Sequence, residues 1–171
     1  PADKAAARES LISHALDPER VIVRVNPVGT EDHALDMQTL AGTGYRTIML
    51  AKTEGAAQLD SFDQGGYRVI ALCETALGIA RANEIAGHEV VAGMMWGAED
   101  LAASMCGTGS RREAAPGEAT GAYRDFARYA RSRVLIEAKA AGKRAIDSVF
   151  INIGDLQGLQ AEVTDAVASG F

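Results

Sequence analysis

A chain of 171 residues, 47% apolar and 23% charged, is long enough for one ordinary globular domain with a real core. Its net charge of −6 disfavours nucleic acid as the main partner, because phosphate binding needs a basic surface. It has no apolar run of about 18 residues and opens PADKAAARE, without the apolar stretch of a signal peptide, so neither a membrane span nor secretion is expected and the cytoplasm is the expected location.

The first predicted helix covers residues 3–16, with Asp3 as its cap. VIVRVNP (21–27) follows, a β-branched strand stopped by proline, and then a helix over 31–41 between Thr30 as cap and Gly42 at its end. YRTIMLAK (45–52) is the second strand, with a short helix over 56–61 after it. The third strand, YRVIALCE (67–74), leads into a helix TALGIARANEIAG closed by Gly87. VVAGMMW (90–96) is the fourth, with a helix from about Glu99. GTGSRREAAPGEATG reads as a polar loop, 123–141 as a long helix ended by Gly142, AIDSVFI (145–151) as the fifth strand, and 156–169 as an amphipathic last helix.

The strands are continuous apolar runs, as parallel strands buried on both faces require. Right-handed βα units of this kind build either a doubly wound sheet or a barrel. Five strands do not close an eight-stranded barrel. The pattern therefore leaves two architectures: a five-stranded doubly wound domain, or a barrel seen without its first and last strands. No repeat or linker divides the chain, so residues 1–171 are expected to form a single domain.

In both architectures ligands bind at the carboxyl ends of the strands. Polar residues stand there: Arg24 and Asn26 after strand one, Lys52 and Glu54 after strand two, Glu74 and Thr75 after strand three, Gly97-Ala98-Glu99-Asp100 after strand four, and Asp147, Asn152 and Asp155 around strand five. Convergent carboxylates repel unless a cation lies between them, and hard oxygen ligands suit Mg²⁺, which takes one or two protein carboxylates plus substrate and water. Glu74 and Asp100 are the candidate ligands; helix-capping or first-turn acids are the alternative reading of both. Glu99 reads as a capping partner beside them. Arg24, inside an apolar strand where an unpaired arginine is costly, is either a clamp for a carboxylate or enolate oxygen or half of a structural ion pair. Lys52 is either a Schiff-base lysine or a lysine salt-bridged to the acids.

Other features read more plainly. Trp96, Met94 and Met95 are core or pocket wall. Arg111–Glu113 is solvated surface or a contact for an anionic cofactor tail. Cys73 and Cys106 are reduced thiols, outside any CxxC or Cys/His cluster. His14, His33 and His88 are too scattered for a histidine metal site or a Ser-His-Asp triad. GxGxxG and GxxxxGK[ST] are absent, which weakens a dinucleotide or nucleoside-triphosphate reading.

The segments VRVNP, MLAKTE, ALCETALGI, MMWGAEDLA and AIDSVFINIGD closely resemble, in order and spacing, the citrate lyase β-subunit-like branch of the HpcH/HpaI aldolase superfamily. The resemblance covers essentially the whole chain, and ETALG followed by GAEDL is its most specific part. It implies an α/β, (β/α)₈ TIM barrel of which this chain supplies strands three to seven, with the first two and the last outside it. It implies Mg²⁺ held by Glu74 and Asp100, catalytic roles for Arg24, Glu74 and Asp100, and substrate contacts from Arg24, Glu74, Gly97, Ala98 and Glu99. The implied partners are a CoA thioester and a keto acid, and the implied assembly is a homo-oligomer, a trimer. The implied activity is a carbon–carbon lyase that cleaves a 3-hydroxy-dicarboxylyl-CoA such as citramalyl-, malyl- or citryl-CoA to acetyl-CoA and a keto acid. The alternatives are a CoA-independent pyruvate or oxaloacetate aldolase, a malyl-CoA thioesterase, and a non-catalytic subunit of a citrate lyase complex. The chain departs from the family's pattern at Ala51, where a proline usually precedes KTE, and it lacks the family's acidic LED-type second strand.

Overall fold

The computed structural model describes residues 3–14 and 16–171. Five strands, β1 (Val23–Val25), β2 (Thr47–Leu50), β3 (Arg68–Cys73), β4 (Val91–Trp96) and β5 (Arg144–Ile146), form one sheet in the order β1-β2-β3-β4-β5. All four neighbouring pairs are parallel. A doubly wound sheet reverses its order at a switch point. This sheet has no reversal: each crossover steps in the same direction, as in the wall of a barrel. Of the two architectures that the sequence leaves open, the α/β arc of a partial barrel is the one observed.

Alternation along the strands sorts their side chains onto two faces. Val25, Ile48, Leu50, Val69, Ala71 and Cys73 belong to the hydrophobic core, together with Met94 and Trp96 of β4. Helices α2 (Glu31–Ala41), α5 (Ala82–Ala86) and α7 (Asp125–Ala140) cover this face through Leu40, Ile85 and Val134, all fully buried. Arg24, Met49, Ile70 and Leu72 alternate onto the opposite face. Met95 falls there too and is half-buried, whereas Met94 and Trp96 are core.

Several boundaries follow the sequence closely. Thr30 caps α2 by accepting from the His33 N–H (3.1 Å), and Gly42 ends it. The last helix, α8 (Leu156–Ser169), is capped by Asp155, which accepts from Gly158 N–H, and closes on Gly170 in the left-handed region. The first helix, α1 (Lys4–Ser13), stops short of residue 16; Asp3 makes no side-chain cap bond, and residue 15 lies outside the described residues. The short helix expected at 56–61 is a 3₁₀ turn, Ala56–Gln58, running into α3 (Asp60–Asp63). The helix expected after β3 is two pieces, α4 (Ala76–Ala80) and α5, hinged at Arg81, whose guanidinium sits against Gly55.

The fifth strand is shorter than expected. It ends at Ile146 because Asp147 is drawn sideways: its carboxylate accepts from Trp96 Nε1 (2.6 Å) and from Arg131 of α7 (2.7 Å). Residues 147–155 leave the sheet and pack under the polar loop, where Asn152 donates to the Ala119 carbonyl and Thr120 donates to Asp155. That loop is clamped by Arg111. Its guanidinium stacks 3.6 Å over the Tyr123 ring, pairs with Glu162 of α8 at 2.6 Å and donates to the Gly121 carbonyl. Arg111 is thus committed to holding loop and helix together, and Arg112 pairs with Asp125. Among the described residues no helix is long and apolar enough to cross a membrane.

Candidate metal and substrate site

Glu74, Lys52, Asp100 and Arg24 meet at the carboxyl ends of β1 to β4. Glu74 follows β3 directly and is 4% exposed. Thr75, not Glu74, caps α4 by accepting from Gly78 N–H (3.1 Å), so the capping reading of Glu74 fails. Asp100 lies in the first turn of α6 (Ala98–Ser104), where the helix dipole favours an acid, but its carboxylate is turned to Lys52 Nζ at 2.9 Å. The Lys52 backbone N–H donates to Glu74 Oε1 (3.1 Å), so a single lysine touches both candidate ligands.

Arg24 corrects one expectation. It is not buried in its strand: Arg24 points off the core face, with its side chain 59% exposed. Its Nη2 lies 3.5 Å from Glu74 Oε1, an ion pair at the mouth of the site. Both readings of Arg24 therefore hold in part: it is paired with an acid, and it is open to a ligand.

Backbone close approaches explain the glycines of ETALG and GAEDL. A Cβ on Gly97 would sit 2.8 Å from Glu74 Cβ and 2.9 Å from Oε2, so only glycine leaves this carboxylate its position. A Cβ on Gly78 would collide with the Thr53 carbonyl, which lets α4 seat against the turn after β2. That turn is fixed by Thr53, whose buried hydroxyl donates to the Leu50 carbonyl. The N–H of Ala98 donates to Ser148 Oγ (3.3 Å), tying α6 to the segment after β5. Glu99 faces away from the acid pair and accepts from the buried Ser110 hydroxyl, bracing the polar loop.

Burial raises the Glu74 pKa above the ordinary carboxylate value, and nearby Asp100 adds to the rise; Arg24 and the Lys52 N–H oppose it. The hydrogen bond to Asp100 raises the Lys52 pKa, which keeps the ammonium charged and argues against a Schiff-base lysine. Cys73, beside Glu74 in sequence, is pushed up to about 12 by burial and is inert core.

These residues fit a hard divalent cation. The donors are carboxylate oxygens, two of them suffice for Mg²⁺ when substrate and water complete the shell, and the contacts to Glu74 fall on Oε1, leaving Oε2 without a donor among the described residues. The sequence places Asp147 among the polar residues of the strand ends without a role for it and does not single out Ser148; their partners Trp96, Arg131 and Ala98 are remote in the chain.

The model of the HpcH/HpaI aldolase/citrate lyase family matches residues 1–171. A citrate lyase subunit beta-like protein of Mycobacterium tuberculosis is 51% identical over 170 residues, covering 99% of this chain and 59% of that protein. A (3S)-malyl-CoA thioesterase of Cereibacter sphaeroides is 31% identical over 155 residues, covering 88% of this chain and 50% of that protein. The crystal structure of CitE from M. tuberculosis in complex with magnesium, acetoacetate and coenzyme A superposes with a TM-score of 0.92 at 50% identity, covering 99% of this chain and 61% of that chain. The chain thus spans roughly three fifths of the length of its M. tuberculosis relative.

Proposed function

The chain belongs to the HpcH/HpaI aldolase/citrate lyase family, and on that premise we propose that it forms the catalytic part of a Mg²⁺-dependent carbon–carbon lyase acting on a 3-hydroxy-dicarboxylyl-CoA thioester. The observation that carries this reading is the joining of Glu74 and Asp100 through Lys52, with Glu74 Oε2 open beside Gly97. Glu74 and Asp100 would hold the ion. Bound there, Mg²⁺ supplies Lewis acidity to a chelating hydroxyl or keto oxygen.

The chain's own residues do the rest. Arg24 offers an exposed guanidinium to the substrate carboxylate or the developing oxyanion. Gly97 and Ala98 bring the start of α6 close to Glu74 and so shape the floor of the substrate site. Glu99 supports the loop after α6 through Ser110 rather than the substrate itself. In the cleavage, the substrate hydroxyl loses its proton and becomes the keto-acid carbonyl. The C–C bond electrons pass to the thioester as an enolate, which is then protonated to acetyl-CoA. The products match the ligand types in the M. tuberculosis CitE complex, a keto acid and coenzyme A.

The test is turnover of citramalyl-CoA and malyl-CoA by the full-length protein, following acetyl-CoA and keto acid. Full activity in Glu74→Ala or Asp100→Ala would overturn the metal site. The C. sphaeroides relative supports one second reading, a malyl-CoA thioesterase, in which free CoA and malate appear instead of acetyl-CoA. We assign residues 1–171 to one catalytic unit on their shared core, and a cytoplasmic homotrimer is the assembly in keeping with the family resemblance.

A further inference from the structure

Lys52 occupies its place through the backbone. Its neighbours continue the parallel ladder, Ala51 N–H to the Val25 carbonyl (3.2 Å) and Thr53 N–H to the Leu72 carbonyl (3.0 Å). Lys52 between them adopts a left-handed φ of 51°, unfavourable for any residue with a Cβ, and its N–H goes to Glu74 instead of the sheet. Its side chain then ends at Asp100 Oδ1, 2.9 Å away.

The four charges balance without a metal. Arg24 sits against Glu74 and Lys52 against Asp100, two cations on two carboxylates. A divalent ion on the same carboxylates adds two positive charges beside two others, one of them the ammonium already seated on Asp100 Oδ1. An anionic ligand arriving alone meets the opposite difficulty, because Lys52 is engaged by Asp100 and Arg24 is shared with Glu74.

We infer that Lys52 is the resident counter-cation of the site: it holds Asp100 while no metal is present, competes with the divalent ion for that carboxylate, and is released to the carboxylate of the substrate when the ion binds. This deepens the reading above and rests on it. Lys52 is a positioning residue for the metal and becomes a ligand-binding one only after exchange. Mg²⁺ alone therefore binds weakly, and Mg²⁺ with a small keto acid binds well, since each relieves the charge imbalance created by the other.

The test is calorimetric titration of the full-length protein with Mg²⁺ alone, and with pyruvate at saturating Mg²⁺. Wild type is compared with Lys52→Met, Lys52→Gln, Lys52→Arg and Glu74→Gln, each checked for folding by circular dichroism. Lys52→Met and Lys52→Gln keep the φ and the N–H to Glu74 but remove the charge. Both are expected to bind Mg²⁺ alone about tenfold more tightly than wild type, the order of magnitude for deleting one unit charge beside a divalent ion near a protein surface. Both are expected to bind pyruvate less well in the presence of Mg²⁺, and Lys52→Arg is expected to stay near wild type. Folded neutral variants that bind Mg²⁺ no more tightly than wild type overturn the inference. If wild type binds Mg²⁺ and Glu74→Gln loses it, the metal site survives that failure. If no form binds Mg²⁺, the metal site and the inference fall together.

Discussion

The carboxylate of Glu74 lies against the backbone of Gly97, so close that a Cβ there would stand 2.9 Å from Oε2. Glu74 follows β3 and Gly97 follows β4, and the two strands run side by side with Cys73 opposite Trp96. The contact sets where the least exposed acid of the pair points, and the first prediction tests it. Gly97→Ala is expected to displace Glu74, to destabilise the fold by about 1–3 kcal/mol as overpacking does, and to weaken Mg²⁺ binding. Melting temperature and Mg²⁺ titration read the two effects; an unchanged Mg²⁺ affinity would show that the glycine is incidental to the site.

The raised pKa of Glu74 has a sign that stability measurements can read. An acid whose folded pKa lies above its unfolded value stabilises the fold fully below the unfolded pKa, and that contribution is lost as the pH rises through the folded value. Metal-free Glu74→Gln, whose amide oxygen still accepts from Lys52, is therefore expected to gain in melting temperature over wild type as the pH rises above the ordinary carboxylate range. The gain vanishes in acid, where wild-type Glu74 is neutral too. A constant difference at every pH would rule out ionisation of Glu74 as the cause.

Asp147 ties together three elements through Trp96, Arg131 and its own strand end. Asp147→Ala leaves a buried indole N–H without its acceptor and a half-buried guanidinium without one of its two carboxylate partners. It is expected to cost about 2–4 kcal/mol in a urea melt. Trp96 is the single tryptophan, so its emission reports the change directly. An emission maximum and unfolding midpoint equal to wild type would mean that Asp147 does not hold the end of β5.

Of the two cysteines, Cys73 is buried and Cys106 exposed. With the Cys73 pKa pushed up to about 12, a thiol reagent at pH 8 is expected to modify Cys106 alone in the native protein and both in denaturant. Fast native labelling of Cys73 would show that the core around β3 opens.

Much of the fold was legible because its signals are local. The apolar runs of β2 to β4, the Thr30 cap and the amphipathic α8 depend on neighbours in the chain. Their limits were found within a few residues. The misread parts depend on distant partners. β5 was drawn too long because the end of AIDSVFI depends on Trp96 and Arg131, far away in sequence. The apolar strand around Arg24 suggests burial, whereas alternation turns this residue to the face away from the core and exposes it. Within Arg111–Glu113, Arg112 and Glu113 are surface, whereas Tyr123 and Glu162 enclose Arg111.

By itself the sequence determined the βα periodicity, the two acids Glu74 and Asp100, and the likeness of ETALG and GAEDL to one family. Spacing and residue type suffice for these, because strand ends and helix starts are set by short-range chemistry. Only the tertiary structure decided the order of the strands, since a crossover can step in either direction with the same local sequence. It alone decided that Lys52, between two ladder residues, joins both acids. The Lys52 contacts unite the ends of β2, β3 and β4, which the parallel pairing of these neighbouring strands brings to one side of the sheet.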